Sequence, residues 1–454
     1  MSIGTYVSGH SMLQRKISGQ SFSIVLCYML ILGVCAGWLT SLSKVSLLLS
    51  FAICAIGFVG SSEICCRLLF VCFPFFNVMG ADLGGTSLFY LIVLSFVLKA
   101  SLDGSIEHLH ERYGALAAVI VLTIYNFGAG LIYVKWLIHL TVPLLLLGTT
   151  RFEKYFPIYV RLLTISLVFS GAMGLLMMER GIYLYTFGTV NTGIDVTTRF
   201  SGLIGDAVVF GQVIALVVGA NVYLLYAKAS YRGSFLLSLT LVFFAFLTYS
   251  KAALICLVIV GAFALFSFVR RAIQEGLPIS YLIGGLLVLL FAYYFAVFLL
   301  SGSSLFSVDA LTTRLDSSDL LTARKQIWSA YFDLWNFIGV PMLFKGIGFD
   351  TYLGTTVYGR WHNCHNIYIE AVTLFGWILS LFLIVALAAH FIRKYREGAS
   401  LLSYLPGFLL LLSGLILHGF LDFPFFYEWT VALGCIDFSV TLSKNRIGTK
   451  GGGS

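Results

Sequence analysis

The sequence predicts an all-α, polytopic membrane protein with about 12–14 transmembrane helices and one large outer loop carrying short amphipathic helices. Three observations carry this expectation. Of the 454 residues, 59% are hydrophobic and only 11% charged, whereas soluble proteins carry about 25% charged residues. Apolar runs of about 17–25 residues recur along the chain, long enough to cross a bilayer as helices. Finally, the strongly basic loops of the second half fall on one side when those runs are threaded through a membrane in order. The net charge of +8 therefore reads as a topology signal, and nucleic-acid binding is set aside.

In order, residues 1–20 form a cytoplasmic segment ending after Arg15 and Lys16, and residues 21–450 form a single transmembrane bundle. The first apolar run, Phe22 to Leu39, lacks a small-residue exit and reads as a span rather than a cleaved signal. Runs follow near 45–60, 64–80, 86–99, 115–134 and 136–148, several of them short. Arg151, Lys154 and Arg161 mark a cytoplasmic turn, 157–178 runs outward, and 179–206 is an outer loop. The span 207–227 returns to Lys228 and Arg232; the hairpin 234–250 and 252–269 returns to Arg270 and Arg271, leaving Ser250 and Lys251 outside. A span at 280–300 delivers the loop 301–365 to the outer face, and 366–389 returns to Arg393, Lys394 and Arg396. Spans near 402–420 and 423–442 end at Lys444 and Arg446, so both termini are cytoplasmic. Residues 451–454 read as an appended linker. The nine cysteines lie mainly within apolar runs and show no repeated CxxC spacing, so they read as small buried hydrophobes.

Outside, Arg199, Asp206, Lys251, Arg314, Asp316, Asp319, Arg324, Lys325, Asp350, Arg360, His362 and His365 form the polar inventory. Charge near lipid is costly, so Lys251, lodged between two apolar helices, needs a partner or a purpose; snorkelling to the interface is the plainer alternative. Arg324 opens an amphipathic segment in which Ile327, Trp328, Tyr331, Leu334 and Trp335 recur at helical intervals. Such a helix lies along the outer surface with its basic end against an anion, or merely against lipid phosphate or Asp319. Gly346 and Gly348 permit a tight turn, but they follow no strand and open no helix, which removes a dinucleotide-binding reading. His365 precedes an apolar span and titrates near neutral pH, making it a candidate general base; His362 is the nearby substitute. The set His362, Cys364 and His365 matches no familiar zinc spacing, so no metal is expected.

These residues together resemble the O-antigen ligase and polymerase superfamily. The resemblance rests on Arg-x-x-x-Trp at 324–328, Gly-Ile-Gly at 346–348, His-Asn-Ile-Tyr-Ile at 365–369, and Gly376. Arg-x-x-Gly at 199–202 is similar to that family's other arginine site, and Ser250-Lys251 resembles its Ser-Arg step. The likeness covers roughly residues 195–390; Lys251 keeps the charge of the family's arginine but not its planar fork, and Asp206 stands where a Pro-Asn step is common.

The resemblance implies a metal-independent, inverting glycosyltransferase of the bacterial inner membrane that acts at the periplasmic face and needs no cofactor. Its donor and acceptor are glycans on undecaprenyl diphosphate, in the company of membrane lipid, a chain-length regulator and a flippase. Arg199, Lys251 and Arg324 would hold the diphosphate, with His365 as base and His362, Arg314 and Asp206 as secondary candidates. Preorganised cations suit the charge that grows on a departing diphosphate. A sizeable outer loop and an idiosyncratic sequence favour a polymerase of repeat units for O-antigen or capsule; the alternative is a ligase transferring glycan to lipid A core. A lipid-linked oligosaccharide transporter stands third, since the two halves share no visible repeat and the charge gathers on one face.

Overall fold

The computed structural model describes residues 4–80, 87–103, 141–149, 152–182, 189–191, 196–231, 233–274, 322–347, 355–357, 360–362, 366–416 and 425–451. The described residues are helical, apart from two ribbons of three-residue strands and short turns. Among the described residues, four helices are long and apolar enough to cross a membrane: Ser21–Leu39, Phe152–Glu179, Ala207–Tyr226 and Trp377–Arg396. This architecture is that of a helical membrane protein. The predicted spans 115–134 and 280–300, and about half of the loop 301–365, lie outside the described residues.

The chain divides into two compact units. The first contains residues 1–107, 158–186 and 202–205. Its helices are α1 (Gly4–Leu39), α2 (Ser43–Val59), α3 (Ser62–Cys72), α4 (Phe89–Leu102) and most of α5 (Phe152–Glu179). Ser61 caps α3 by accepting from the Ile64 amide. The predicted run 64–80 ends as an α-helix at Cys72, where Phe73–Phe75 tighten into a 3₁₀ turn containing Pro74. Proline lacks the amide that would continue the ladder. Tyr28 on α1 shares a 2.9 Å hydrogen bond with Ser166 on α5, and Phe70 stacks on Tyr159 at 5.1 Å. Cys27, Cys35, Cys54, Cys65, Cys66 and Cys72 are buried in this unit, as expected of small hydrophobes.

The second unit contains residues 108–157, 187–201 and 206–454. At its centre is α6 (Ala207–Tyr226), apolar on every face apart from Gln212 and Asn221 and buried along nearly its whole length, as such a helix must be. It packs against α7 (Ser234–Leu247), α8 (Lys251–Gln274), α13 (Leu405–Ile416) and α14 (Phe425–Gly451). Strands β1 (Thr189–Asn191) and β2 (Val196–Thr198) pair antiparallel, as do β3 (Thr355–Val357) and β4 (Arg360–His362). The amphipathic segment predicted after Arg324 is α9 (Thr322–Ile338), followed by the single turn α10 (Pro341–Phe344).

The run expected as one span over 366–389 is instead two helices, α11 (Ile367–Phe375) and α12 (Trp377–Arg396). The break is at Gly376, whose φ of +79° takes the backbone out of the helix. Gly346 lies against it: a Cβ on Gly346 would sit 2.6 Å from the Gly376 amide nitrogen, so backbone meets backbone where neither residue has a side chain. That contact and the Ile347 amide bond to the Thr373 carbonyl (2.7 Å) give Gly346-Ile347 a packing role.

At the far end of α12, Lys394 was expected in a basic loop. It is 4% exposed and pairs with the fully buried Asp437 of α14 at 3.1 Å and with Glu397 at 3.6 Å. The Ser400 amide donates to Ser439 Oγ (2.8 Å) and Tyr404 donates to the Phe391 carbonyl (2.9 Å), fastening the same corner.

Candidate functional site

The turn that joins α7 to α8 gathers two of the predicted residues. Thr248 donates its hydroxyl to the Ala245 carbonyl (2.7 Å) and accepts from the Ser250 amide (3.2 Å). Between them, Tyr249 is fully buried with φ +47°, a left-handed conformation uncommon for a bulky residue. Ser250 then caps α8 by accepting from the Ala253 amide (3.4 Å), which makes Lys251 the first helical residue. Gly211 of α6 permits this turn to sit close: a Cβ there would lie 2.8 Å from Ala253 Cβ and 2.9 Å from Thr248 Oγ1.

Arg199 reaches the same turn from the chain leaving β2. Its Nε donates to the Thr248 carbonyl at 2.9 Å, and the Phe200 amide donates to the Leu247 carbonyl at 3.1 Å. The Phe200 ring, packed between Phe210 (5.6 Å) and Phe244 (5.7 Å), anchors that approach to α6 and α7. Arg199 and Lys251 are both half-buried; Arg199 bonds the Thr248 carbonyl, and Lys251 follows Thr248 by three residues at the start of α8. Asp206 has a different duty: its carboxylate accepts from the Val208 (2.7 Å) and Val209 (3.0 Å) amides as the N-cap of α6.

The start of α11 is at the same end of the unit. Gln212 donates to Ser413 on α13, six residues and about 9 Å along α6 from Asp206 at 1.5 Å per residue. Two residues beyond Ser413, the Leu415 carbonyl accepts from Asn366 Nδ2 at 2.7 Å. Asn366 also caps α11, its Oδ1 accepting from the Tyr368 (2.9 Å) and Ile369 (3.1 Å) amides. Tyr368 donates to the Leu411 carbonyl (3.2 Å), and a Cβ on Gly414 would meet Ile367 at 2.6 Å. The first turns of α6, α8 and α11 therefore share one end, where helix dipoles leave partial positive charge.

Arg324 occupies the first turn of α9 and is half-buried. Ile327, Tyr331 and Trp335, spaced four apart, form one stripe that packs with Ile369, Val372 and Phe375 of α11. Trp335 Nε1 donates to Thr373 Oγ1 at 2.9 Å, and Thr373 in turn donates to the Ile369 carbonyl (2.7 Å). Ile327 is three residues past Arg324, and Ile369 three past Asn366; both belong to this cluster. Arg324, like Arg199 and Lys251, takes part in a further interaction within the fold.

His365 and Arg314 lie outside the described residues. His365 precedes the capping Asn366 by one residue, and His362 is in β4, opposite Thr355. Sequence reasoning gave no role to Gln212, Ser413, Glu370 or Glu428, all buried near this end of the unit. Glu370 stands in the first turn of α11 and Glu428 in the first turn of α14. The signal available in the sequence was a polar residue inside an apolar run, which in a membrane marks a partner or a function.

No protein-family model, curated protein or solved structure matches this chain.

Proposed function

We propose that this protein is an inverting glycosyltransferase that polymerises undecaprenyl-diphosphate-linked repeat units into a surface polysaccharide. On this reading it is a bacterial inner-membrane enzyme with 12–14 spans by the hydropathy count, cytoplasmic termini and a periplasmic site. The observation that carries the proposal is the Arg199 bond to the Thr248 carbonyl, in the turn that leads into Lys251, at the helix end where α11 begins two residues after His365.

The chemistry follows from that placement. The anomeric carbon of the donor loses its bond to the diphosphate oxygen as the hydroxyl oxygen of the acceptor sugar bonds to it from the opposite face. Negative charge then grows on the diphosphate, and Arg199 and Lys251, with the positive ends of α8 and α11, stabilise it. The Nε bond to Thr248 fixes the guanidinium before substrate arrives, so little reorganisation is needed during reaction. His365 takes the hydroxyl proton and returns it to solvent between turnovers. Arg324 adds a third cation from α9. No metal or nucleotide enters these steps.

The test is gel analysis of surface glycan from cells lacking the gene, with lipid-linked and lipid A-linked material separated. Loss of a polymerase leaves single repeat units on the acceptor and no ladder, which is the expected result. A bare core with long glycan accumulating on the polyprenyl carrier would assign a ligase instead. Repeat units trapped on the cytoplasmic side would overturn both readings in favour of a transporter.

A further inference from the structure

The strip from Phe337 to Phe344 carries an interaction surface that the transfer chemistry does not use. Helix α12 is 20 residues long, about 30 Å at 1.5 Å per residue, matching a hydrocarbon core. Ile378, Leu381, Phe382 and Val385 are exposed along it, and Arg393 and Arg396 close its last turn. Its first residue, Trp377, is 48% exposed. Tryptophan at a span's end, opposite a basic end, marks the headgroup level.

Helix α9 is fastened at that level, because the Trp335 ring packs edge-on against Trp377 with centroids 5.4 Å apart. Up to Asn336 the outer face of α9 is mainly polar, with Lys325, Gln326, Ser329, Asp333 and Asn336 exposed and one apolar member, Phe332, whose ring packs edge-on against Trp335 at 5.0 Å. At Phe337 the character changes. Phe337 is 88% and Val340 70% exposed, and Leu343 and Phe344 project from α10 as well. Met342 of the same turn is buried, and its carbonyl lies against Gly376, so α10 abuts the start of α12. The exposed apolar strip is thus continuous with the apolar face of α12, and it is followed by exposed Lys345, a residue type whose stem lies along apolar surface while its ammonium stays in the polar layer.

We infer that the end of α9 and the turn α10 form a wedge seated among the acyl chains of the outer leaflet. The occupant of this surface is bilayer lipid; the polar face of α9 looks into water. Such a wedge fixes the depth of α9, and through it the height of Arg324 above the membrane. The inference rests on α12 crossing the membrane and is independent of the glycosyl-transfer reading.

The experiment is site-directed spin labelling of the full chain in vesicles of phosphatidylethanolamine and phosphatidylglycerol. Single cysteines replace Phe337, Phe344 and Asn336 in a Cys364→Ser background; the other eight cysteines are buried. Power saturation is compared with oxygen, which concentrates in acyl chains, and with a neutral nickel chelate, which stays in water. The expected result is oxygen accessibility several-fold above nickel accessibility at positions 337 and 344, with the order reversed at 336. Equal nickel accessibility at all three sites would place the strip in water and overturn the inference. Shielding of 337 and 344 from both reagents would overturn it too, since that is the signature of a protein partner or a second copy.

Discussion

Lys394 and Asp437 provide a perturbation whose size is set by asymmetric surroundings. Asp437 has no exposed surface, and its cation is Lys394 at 3.1 Å. Lys394 also has Glu397 at 3.6 Å, a carboxylate whose side chain keeps 31% of its exposure. Lys394→Met removes the cation and leaves a buried carboxylate, a change that costs about 3–5 kcal/mol. Asp437→Asn leaves Lys394 beside Glu397, with an amide oxygen still facing its ammonium, so about 1–2 kcal/mol is expected for the weakened bond. The double replacement Lys394→Met and Asp437→Leu removes both charges and keeps volume, and should return close to wild type. Unfolding by sodium dodecyl sulfate in mixed micelles, followed by circular dichroism, gives the three free energies for comparison, and Asp437→Leu alone closes the double-mutant cycle. Equal costs for the two single changes, or a double mutant as unstable as their sum, would refute the account of α12 pinned to α14 by charge.

His365→Ala should abolish glycan assembly in cells at matched protein levels while donor binding to purified protein survives; near-normal assembly would remove His365 as the base. Lys251→Arg should retain the ladder because the charge stays, whereas Lys251→Met should cost about 10²–10³ in transfer rate, the usual loss for one preorganised donor; equal activity in both would return Lys251 to a snorkelling anchor. Arg199→Lys should lower transfer and also destabilise by about 1 kcal/mol, since lysine has no Nε bond for the Thr248 carbonyl, a shift readable in the same unfolding assay. Gly211→Val should destabilise by about 1–3 kcal/mol through overpacking against Ala253 and Thr248, and an unchanged midpoint would contradict the close approach there.

How much of this was legible in the sequence depends on whether a neighbour had to be known. The helices α2, α6 and α7 follow directly from apolar length, and Asp206 before α6 has the form of a cap. The break at Gly376 was hidden because the run from Ile367 onward is apolar enough for one span despite Glu370, and its partner, Gly346, is 30 residues earlier. Lys394 looked like any basic residue at a span's end; only Asp437 on another helix makes it a buried ion. Arg199 and Lys251 were singled out as charges beside apolar runs, but the residues that bring them together, Thr248, Phe200 and Gly211, are chemically ordinary.

The same argument bears on why α11 is short. A single helix across 366–396 would carry Asn366 straight along the α12 axis, about 16 Å (11 residues at 1.5 Å) from Trp377. The turn at Gly376 releases α11 from that axis, so it packs on α9 and α13 while α12 remains exposed along its length. Asn366 can then bond Leu415, two residues from the Gln212 to Ser413 contact that ties α13 to α6. Two glycines with no side chain between them thereby set where the residue after His365 lies relative to the Arg199 and Lys251 turn. Gly346→Ala, which forces a Cβ to within 2.6 Å of the Gly376 amide nitrogen at a φ of +65°, should therefore reduce transfer without touching any charged group.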